Sequence, residues 1–317
     1  MGITVLSLFD GISCGRIALE RAGIKVNKYY ASEIDKNAIQ ISKNNYEDII
    51  QLGDIKNINE DTIKNIGKID LVLGGSPCQG FSRAGKGLNF EDSRSKLFFN
   101  FVDILNIVKK YNPNARFLLE NVQMKKEWVE VINNYMGVEA ININSKLVSA
   151  QNRPRLYWTN INFEPIQDRN INLIDLLDKE VEFDYVYHEG LKVDKTISEN
   201  SMNLISNIDN EIRIKQSTKK GYIIANSGDG VNLSFPSSKS RRGRVVNKKS
   251  STLDTSCDIC AYYNDIIRRF TIGELEKLQT LPVGYTEGVA DRARVKAIGN
   301  GWTVDIISHI LGGELWI

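Results

Sequence analysis

The chain has 317 residues, of which 42% are hydrophobic and 25% are charged, as in an ordinary folded protein. Its apolar runs stay below the roughly 20 residues that span a bilayer, and a strand-like segment from Ile3 leaves no room for a signal peptide. Four scattered cysteines are too few for a disulfide framework. We therefore expect a cytoplasmic protein, without membrane segments, that contains one large and one small domain.

The net charge of +2 conceals two segments of opposite sign. Residues 213–249 contain ten lysines and arginines but one acid, whereas residues 165–212 contain four basic and eleven acidic residues. Such a basic segment is typical of proteins that bind the nucleic-acid backbone. A solvated basic loop is the alternative interpretation.

The first segment of the chain has the pattern of a nucleotide-binding unit. Residues 3–8 are apolar and β-branched, as in a buried strand, and the turn Phe9–Gly15 leads into a helical pattern that ends at Gly23. Glycines in such a turn let the backbone approach a ligand. The spacing Gly-x-x-x-Gly differs from the dinucleotide fingerprint Gly-x-Gly-x-x-Gly, so the ligand stays open at this point.

Two acids follow the next predicted strands. Glu33 comes about twenty residues after the glycine turn, a spacing at which a carboxylate can bind a ribose diol. Asp54 follows a third short strand and could accept a hydrogen bond from an adenine amino group. Each acid taken alone could equally lie on the surface.

A cysteine follows the fourth predicted strand, Ile69–Leu73. The turn Gly74–Ser82 contains Pro77-Cys78-Gln79 and places Cys78 at or beyond the carboxyl end of that strand, where ligands bind in open α/β sheets. A thiolate there can act as a nucleophile if positive charge or hydrogen-bond donors stabilise it. A buried cysteine in a tight turn is the alternative.

These residues resemble the C5-cytosine-specific DNA methyltransferases of bacterial and phage type, which depend on S-adenosylmethionine (SAM). The resemblance covers residues 3–160 and 266–312, with its motifs in the family's order. Besides the segments above, it rests on Phe90–Arg94, Leu97–Phe99, Glu120–Val122, Gln151–Arg155, Arg268–Thr271 and Ala297–Val304. Gly299-Asn300-Gly301-Trp302 departs from the family's commoner Gly-Asn-Ser at this point.

The resemblance implies an α/β fold of the Rossmann-like SAM-dependent methyltransferase type. In that fold a mixed seven-stranded sheet carries helices on both faces, and a small target-recognition domain is added. The implied domains are a catalytic SAM-binding part at 1–164, the target-recognition domain at 165–266, and a catalytic C-terminal part at 267–317. The last helix would pack back beside the first strand.

The resemblance also implies a mechanism. Cys78 would attack C6 of a cytosine flipped out of duplex DNA, so that C5 takes the methyl group of SAM and S-adenosyl-L-homocysteine is released. Glu120 would bind N3 and the exocyclic amine. Arg155, with Arg153, would hold the O2 side of the base and the surrounding phosphate or catalytic loop, and the sequence does not divide these tasks between them. The implied cofactor contacts are Phe9, Asp10, Gly11, Ile12, Ser13, Gly15, Glu33, Ile34, Asp54, Ile55, Pro77, Leu97, Asn300 and Trp302.

Two segments are expected to contact double-stranded DNA. A glycine-rich polar loop follows Cys78 and could close over the DNA, and a second group lies in the basic segment. The expected DNA contacts are Gln79, Ser82, Arg83, Lys86, Arg241, Arg242, Arg244 and Lys248. No metal is expected, because Cys257-x-x-Cys260 lacks a second ligand pair. We expect a monomer on DNA, with a restriction endonuclease as a possible partner.

Three other functions share some of these features. An RNA methyltransferase of the related tRNA type would contain most of the same motifs. A nucleotide-dependent oxidoreductase would need the dinucleotide fingerprint that the first turn lacks. A catalytically inactive DNA-binding homologue would be expected to have lost Cys78, Glu120 or an arginine, and this chain retains them.

Overall fold

The structure, a computed structural model, describes residues 2–76, 96–254, 259–313 and 316. Up to residue 166 the described chain alternates between strands and helices. The strands are β1 (Ile3–Leu8), β2 (Val26–Ser32), β3 (Ile50–Gln51), β4 (Leu71–Gly74), β5 (Arg116–Val122), β6 (Ile141–Asn144), β7 (Gln151–Asn152) and β8 (Pro154–Thr159). The helices are α1 (Cys14–Arg21), α2 (Lys36–Asn45), α3 (Glu60–Ile66), α4 (Lys96–Tyr111) and α5 (Lys126–Met136), with 3₁₀ turns at Ile55–Asn57 and Ser145–Leu147.

After residue 166 strands predominate and helices return near the end. The strands are β9 (Tyr185–His188), β10 (Leu191–Asp194), β11 (Ile205–Ile208), β12 (Glu211–Lys215), β13 (Tyr222–Ala225), β14 (Asp229–Asn232), β15 (Arg244–Val246), β16 (Ser250–Ser251), β17 (Ile259–Tyr263) and β18 (Ile266–Arg269). The helices are α6 (Glu199–Met202), α7 (Ile272–Leu278), α8 (Asp291–Asn300) and α9 (Val304–Gly312), with a 3₁₀ turn at Leu173–Asp175. Within the described ranges, no helix combines the length and the apolar character needed to cross a membrane.

The chain forms two compact units. The first contains Met1–Asn144, Pro154–Ile166 and Gly301–Ile317, and the second contains Ser145–Arg153 and Gln167–Asn300. The two units are defined by how their residues pack, and packing alone does not show which residues bind cofactor or DNA. The domain limits 1–164, 165–266 and 267–317 therefore stay a prediction about function.

The first unit is built on the expected mixed sheet. Its seven strands lie in the order β3-β2-β1-β4-β5-β8-β6, and β8 runs antiparallel to both of its neighbours while the other pairs are parallel. The parallel strands β1, β4 and β5 are buried apolar segments, as the sequence indicates, because helices cover such strands on both faces.

Adjacent residues of β4 show which helices lie on which face. Val72 packs in a core cluster with Phe98 and Phe101 of α4, whereas Leu73 lies against α1 at Gly15. Because side chains alternate along a strand, α4 and α1 cover opposite faces of the sheet. Helix α9 packs on α1, where Arg21 pairs with Asp305 at 2.6 Å.

Local sequence signals explain where several helices begin. Asp35 caps α2 by accepting hydrogen bonds from the backbone amides of Asn37 and Ala38. Thr271 and Glu274 form the predicted capping box at the start of α7. Strand β5 runs through Glu120 to Val122, and Ala297–Asn300 forms the last part of α8.

The second unit contains a six-stranded sheet in the order β15-β14-β17-β18-β10-β9, a three-stranded antiparallel sheet β11-β12-β13, and the short pair β7 and β16. Its core is aliphatic and includes Val193, Ile214 and Ile267. Most of these strands lie in the region where no regular succession of strands and helices can be recognised in the sequence. Each strand is so short that its apolar and polar residues alternate over only a few positions, which gives a weak pattern.

Candidate active site

The turn between β1 and α1 has an unusual backbone. Phe9, Gly11 and Ser13 all adopt positive φ angles of 58–59°. Only glycine takes this conformation without strain, so the surrounding contacts must hold Phe9 and Ser13 in place. A Cβ at Gly11 would meet no heavy atom of the described residues within 4 Å, so the turn is open on that side.

Asp10 holds this turn from within. Its carboxylate accepts hydrogen bonds from the Tyr29 hydroxyl at 2.7 Å and from the Ser13 hydroxyl, which also contacts the Ser42 hydroxyl. Burial raises the pKa of Asp10 to about 6 from an ordinary 3.8, although the hydroxyls oppose that shift. Asp10 therefore stabilises the shape of the turn, a contribution that the sequence alone did not indicate.

The pKa of Asp10 predicts a pH-dependent stability. Its folded pKa lies above its unfolded value, so its contribution is fully present below about pH 4 and is lost as the pH rises through about 6. An Asp10→Asn variant removes this titration. We expect its free energy of unfolding, relative to wild type, to rise by about 3 kcal/mol between pH 4 and pH 7. Urea unfolding at both pH values measures it, and a pH-independent difference would contradict the assignment.

Glu33 bonds to the same turn. One of its carboxylate oxygens accepts from the Gly11 amide at 2.8 Å, and the other accepts from the amides of Ile34 and Asp35 at 2.7 and 2.9 Å. A carboxylate has about four acceptor positions, so three bonds leave about one for a ligand. Glu33 is thus both a support of the turn and a candidate cofactor contact.

The remaining predicted cofactor residues of this unit occupy neighbouring positions. Ile34 is 70% exposed after β2, and Asp54 starts the 3₁₀ turn after β3, where its side chain accepts from the Lys56 amide. Ile55 is buried, and Leu97 is half-buried in the first turn of α4. An open glycine turn, two carboxylates and an exposed aliphatic side chain at three strand ends suit a nucleoside, so these residues fit SAM.

Replacing the two carboxylates tests this pocket. A hydrogen bond to a charged group contributes about 1.5–3 kcal/mol, so Asp54→Ala should weaken SAM binding about ten- to a hundredfold. Glu33→Ala should weaken it further, because the Gly11 amide also loses its acceptor. Calorimetric titration with SAM measures both effects. Asp35→Ala, which removes the cap of α2, is the control. Unchanged titrations for Glu33→Ala and Asp54→Ala would show that the pocket lies elsewhere.

Glu120 lies at the same edge of the sheet. Gly74 pairs with Leu119, so Glu120 is level with Gly75, one residue beyond β4. One oxygen of its carboxylate contacts Arg155 Nε at 3.0 Å, and the other accepts from the indole nitrogen of Trp302 at 3.1 Å. The side chains of Glu120 and Arg155 are each 12% exposed. This nearly buried charge is therefore paired, as its burial requires.

The side chain of Asn121, in β5, forms hydrogen bonds with the segment that follows β4. Its side-chain amide, which is buried, donates to the carbonyl and the hydroxyl oxygen of Ser76. Ser76 is the last described residue before residues 77–95. Six predicted site residues therefore lie outside the described part of the chain: Pro77, Cys78, Gln79, Ser82, Arg83 and Lys86. The Glu-Asn-Val motif identified Glu120 as a candidate site residue, but nothing in the sequence predicted the hydrogen bonds from Asn121 to Ser76.

The two arginines of the Gln-x-Arg-x-Arg motif have different surroundings. Arg155 pairs with Glu120, whereas Arg153 is buried in the second unit and donates to the backbone carbonyls of Leu253 and Gly299 at 2.9 and 3.0 Å. These contacts give Arg153 a structural role. A catalytic role for Arg153 stays a prediction.

The predicted DNA contacts of the second unit lie on or beside the hairpin of β14 and β15. Arg241, Arg244 and Lys248 are exposed, and the Arg241 guanidinium stacks on the ring of Phe235 at 4.6 Å. Arg242 is half-buried, and Asn300 is exposed at the end of α8. A Cβ at Gly243 would lie 2.0 Å from the Lys215 carbonyl, so only glycine fits between Arg242 and Arg244.

The fold and this site define a class of protein: a transferase that binds a nucleoside cofactor at the carboxyl edge of its sheet and holds a paired carboxylate beside it. Over residues 3–313 the chain matches the C-5 cytosine-specific DNA methylases, and it belongs to that family. The protein is therefore a SAM-dependent enzyme that methylates cytosine C5 in DNA.

Individual relatives agree with this assignment. The chain is 29% identical to the Type II methyltransferase M1.ScrFI of Lactococcus lactis subsp. cremoris, over 96% of this chain and 76% of that protein. It is 34% identical to the orphan methyltransferase M.Rho11sI of Bacillus phage rho11s, over 52% of this chain but only 34% of that protein. The Entamoeba histolytica methyltransferase EhMeth shares the fold, with a TM-score of 0.66 at 16% identity over 99% of this chain and 98% of that chain.

Proposed function

We propose that the enzyme acts on cytosine in double-stranded DNA, with Cys78 as the nucleophile and Glu120 as the group that binds the pairing edge of the base. The observation that carries this proposal is the Glu120 carboxylate, which Arg155 and Trp302 hold at the carboxyl edge of the sheet. Ligands of open α/β sheets bind at this edge. A paired carboxylate there can accept from the exocyclic amine and stabilise a proton at N3.

The chemistry explains why a cysteine and an acid are needed together. Cytosine C5 is a weak nucleophile, and addition of the Cys78 thiolate to C6 moves the C5–C6 π electrons onto C5. Glu120 would limit the build-up of charge on the ring during this addition. SAM, when bound, supplies the methyl group that C5 accepts. Loss of the C5 proton and departure of Cys78 then restore the ring double bond.

The target base must leave the helix first. C6 is inaccessible in a stacked duplex, and flipping a base out costs a few kcal/mol. The hairpin loop with Arg241, Arg242 and Arg244 is proposed to bind the duplex, since the surrounding segment is strongly basic. Duplex DNA and tRNA are both polyanions, so activity on each of them separates a DNA methyltransferase from an RNA methyltransferase.

Alanine variants of Arg241, Arg242 and Arg244 test this loop. A lost phosphate contact should weaken binding to all sequences alike and lower the salt slope by about one, whereas a lost guanine contact should remove about 1–3 kcal/mol of discrimination. We expect at least one of the three to read a base. Binding to cognate and single-mismatch duplexes at several salt concentrations measures this, with Arg292→Ala, an exposed arginine on α8, as the control. Wild-type behaviour in all three variants would place recognition elsewhere in residues 165–266.

Several finer features are part of the same proposal. We propose a catalytic part at 1–164 and 267–317 with target recognition at 165–266, action as a monomer on DNA, and a place in the bacterial or phage-infected cytoplasm. A cognate restriction endonuclease is a candidate partner, because a relative is named a Type II methyltransferase. The phage relative, named an orphan methyltransferase, supports a solitary enzyme instead.

Bisulfite sequencing tests the function directly. DNA from cells that express the wild-type protein should show protected cytosines within one short sequence, and DNA from cells that express Cys78→Ala should not. Absence of protected cytosines, together with methylation of tRNA by the purified protein, would favour the RNA methyltransferase. Protection of equal extent by the Cys78→Ala protein would contradict the proposed nucleophile.

A further inference from the structure

Trp302 contacts Glu120, the acid proposed to bind the base, and also lies close to the start of α1 beside the cofactor turn. Its indole nitrogen donates to one oxygen of Glu120, while Arg155 contacts the other oxygen. Each oxygen of the carboxylate thus has a donor of its own. The terminal torsion of a glutamate is broad and roughly two-fold, so one donor leaves the plane of the carboxylate loosely set. Two donors on different oxygens fix that plane.

Gly75 makes room for the indole, and the ring also lies near Gly15. A Cβ at Gly75 would lie 2.8 Å from the indole nitrogen, and a Cβ at Gly15 would lie 3.6 Å from Cζ3. The ring therefore lies directly on the backbone after β4 and close to the first turn of α1. These contacts fix the ring on two sides, so its N–H is directed to Glu120 by packing as well as by the hydrogen bond.

We propose that Trp302 is a positioning residue that orients the Glu120 carboxylate for recognition of the exocyclic amine of cytosine. This inference rests on the proposed role of Glu120. It differs from a simple cofactor contact, which the resemblance implies for this position, because it predicts an effect on the choice of base. Orientation matters here because a carboxylate must lie near the plane of the base to accept from its amine and to reach N3.

The test removes the N–H and keeps an aromatic ring. Trp302→Phe is compared with wild type on two duplexes, one with cytosine and one with 2-pyrimidinone, which lacks the exocyclic amine, at the target position. Single-turnover methyl transfer on each duplex gives a rate ratio, and calorimetry gives the SAM affinity. We expect the cytosine rate to fall about ten- to a hundredfold more than the 2-pyrimidinone rate, with SAM affinity close to wild type.

Trp158→Phe is the matched control. Trp158 is a tryptophan of the first unit that is fully buried, whereas Trp302 is half-buried, and the Trp158 indole nitrogen donates to the Asn133 side chain at 2.7 Å. The same chemical change there removes a similar bond without touching Glu120. It should lower stability and leave the rate ratio unchanged. A structural role for Trp302 would give this same result.

A second variant, Gly75→Ala, tests the same inference in case Trp302→Phe does not fold. Gly75→Ala keeps the tryptophan but places a methyl group against its indole nitrogen, so the ring must shift. It should reduce the same rate ratio. A wild-type ratio in either folded variant, or a fall in SAM affinity alone, overturns the inference while the proposed function stands. If the wild-type enzyme does not methylate cytosine at all, the proposed function fails instead.

Discussion

Cys78→Ala should abolish methyl transfer and leave SAM affinity close to wild type. The proposed mechanism requires a covalent bond from Cys78 to C6 before C5 can accept a methyl group, and alanine cannot form that bond. Glu33, Asp54 and the glycine turn, the main predicted cofactor contacts among the described residues, lie at the ends of β2, β3 and β1, and alanine at position 78 leaves all of them in the sequence. Transfer of labelled methyl groups to duplex DNA, beside a calorimetric SAM titration, measures the two effects separately.

A 5-fluorocytosine duplex provides the positive counterpart. Fluorine cannot leave C5 as a proton does, so the wild-type protein should remain covalently attached to the DNA and migrate as a complex under denaturing conditions. Glu33→Ala, which is expected to bind SAM poorly, should trap less at low SAM concentration and recover at high concentration. An active Cys78→Ala protein, or no trapping by an active wild-type protein, would rule out this mechanism.

The sequence predicted the elements whose signals are local. The buried strand Ile3–Leu8 and the capping box of Thr271 and Glu274 lie where expected, because each depends on residues a few positions apart. The mixed seven-stranded sheet with helices on both faces was expected from the resemblance and is confirmed. The region from 165 to 266 was predicted only as a separate small domain, since its strands are short.

The contacts that shape the site could not be found in this way. Trp302 and Glu120 are 182 positions apart, and Asn121 and Ser76 are 45 apart. No periodicity connects residues at such distances, so their contacts follow from the order of strands in the sheet. The family motifs identified Glu120 and Trp302 as separate cofactor or base contacts. The bond between them is a property of the folded chain.

Arg153 and Arg155 are the clearest case in which neighbouring residues of one motif separate in the structure. Arg153 is buried in the second unit and donates to two backbone carbonyls, of Leu253 and Gly299. Arg155, in the first unit, pairs with Glu120. The family resemblance assigned the two arginines together to the O2 side of the base and to the surrounding phosphate or catalytic loop, without dividing these roles between them. The contacts predict that one acts mainly on stability and the other mainly on catalysis.

Arg153→Ala should therefore lower the free energy of unfolding by about 3–5 kcal/mol, because two buried carbonyls lose charged donors. Arg155→Ala should cost less stability, because Glu120 keeps the hydrogen bond from Trp302 and some contact with solvent. The same variant should reduce methyl transfer about a hundredfold or more, because the Glu120 carboxylate loses its main partner. Denaturant unfolding and single-turnover transfer on the same preparations separate the two effects, with Arg155→Lys as the variant that keeps the charge. A stable but inactive Arg153→Ala protein would instead support the catalytic role that the family resemblance implies for Arg153. An active Arg155→Ala protein would show that Trp302 alone can hold Glu120 in place.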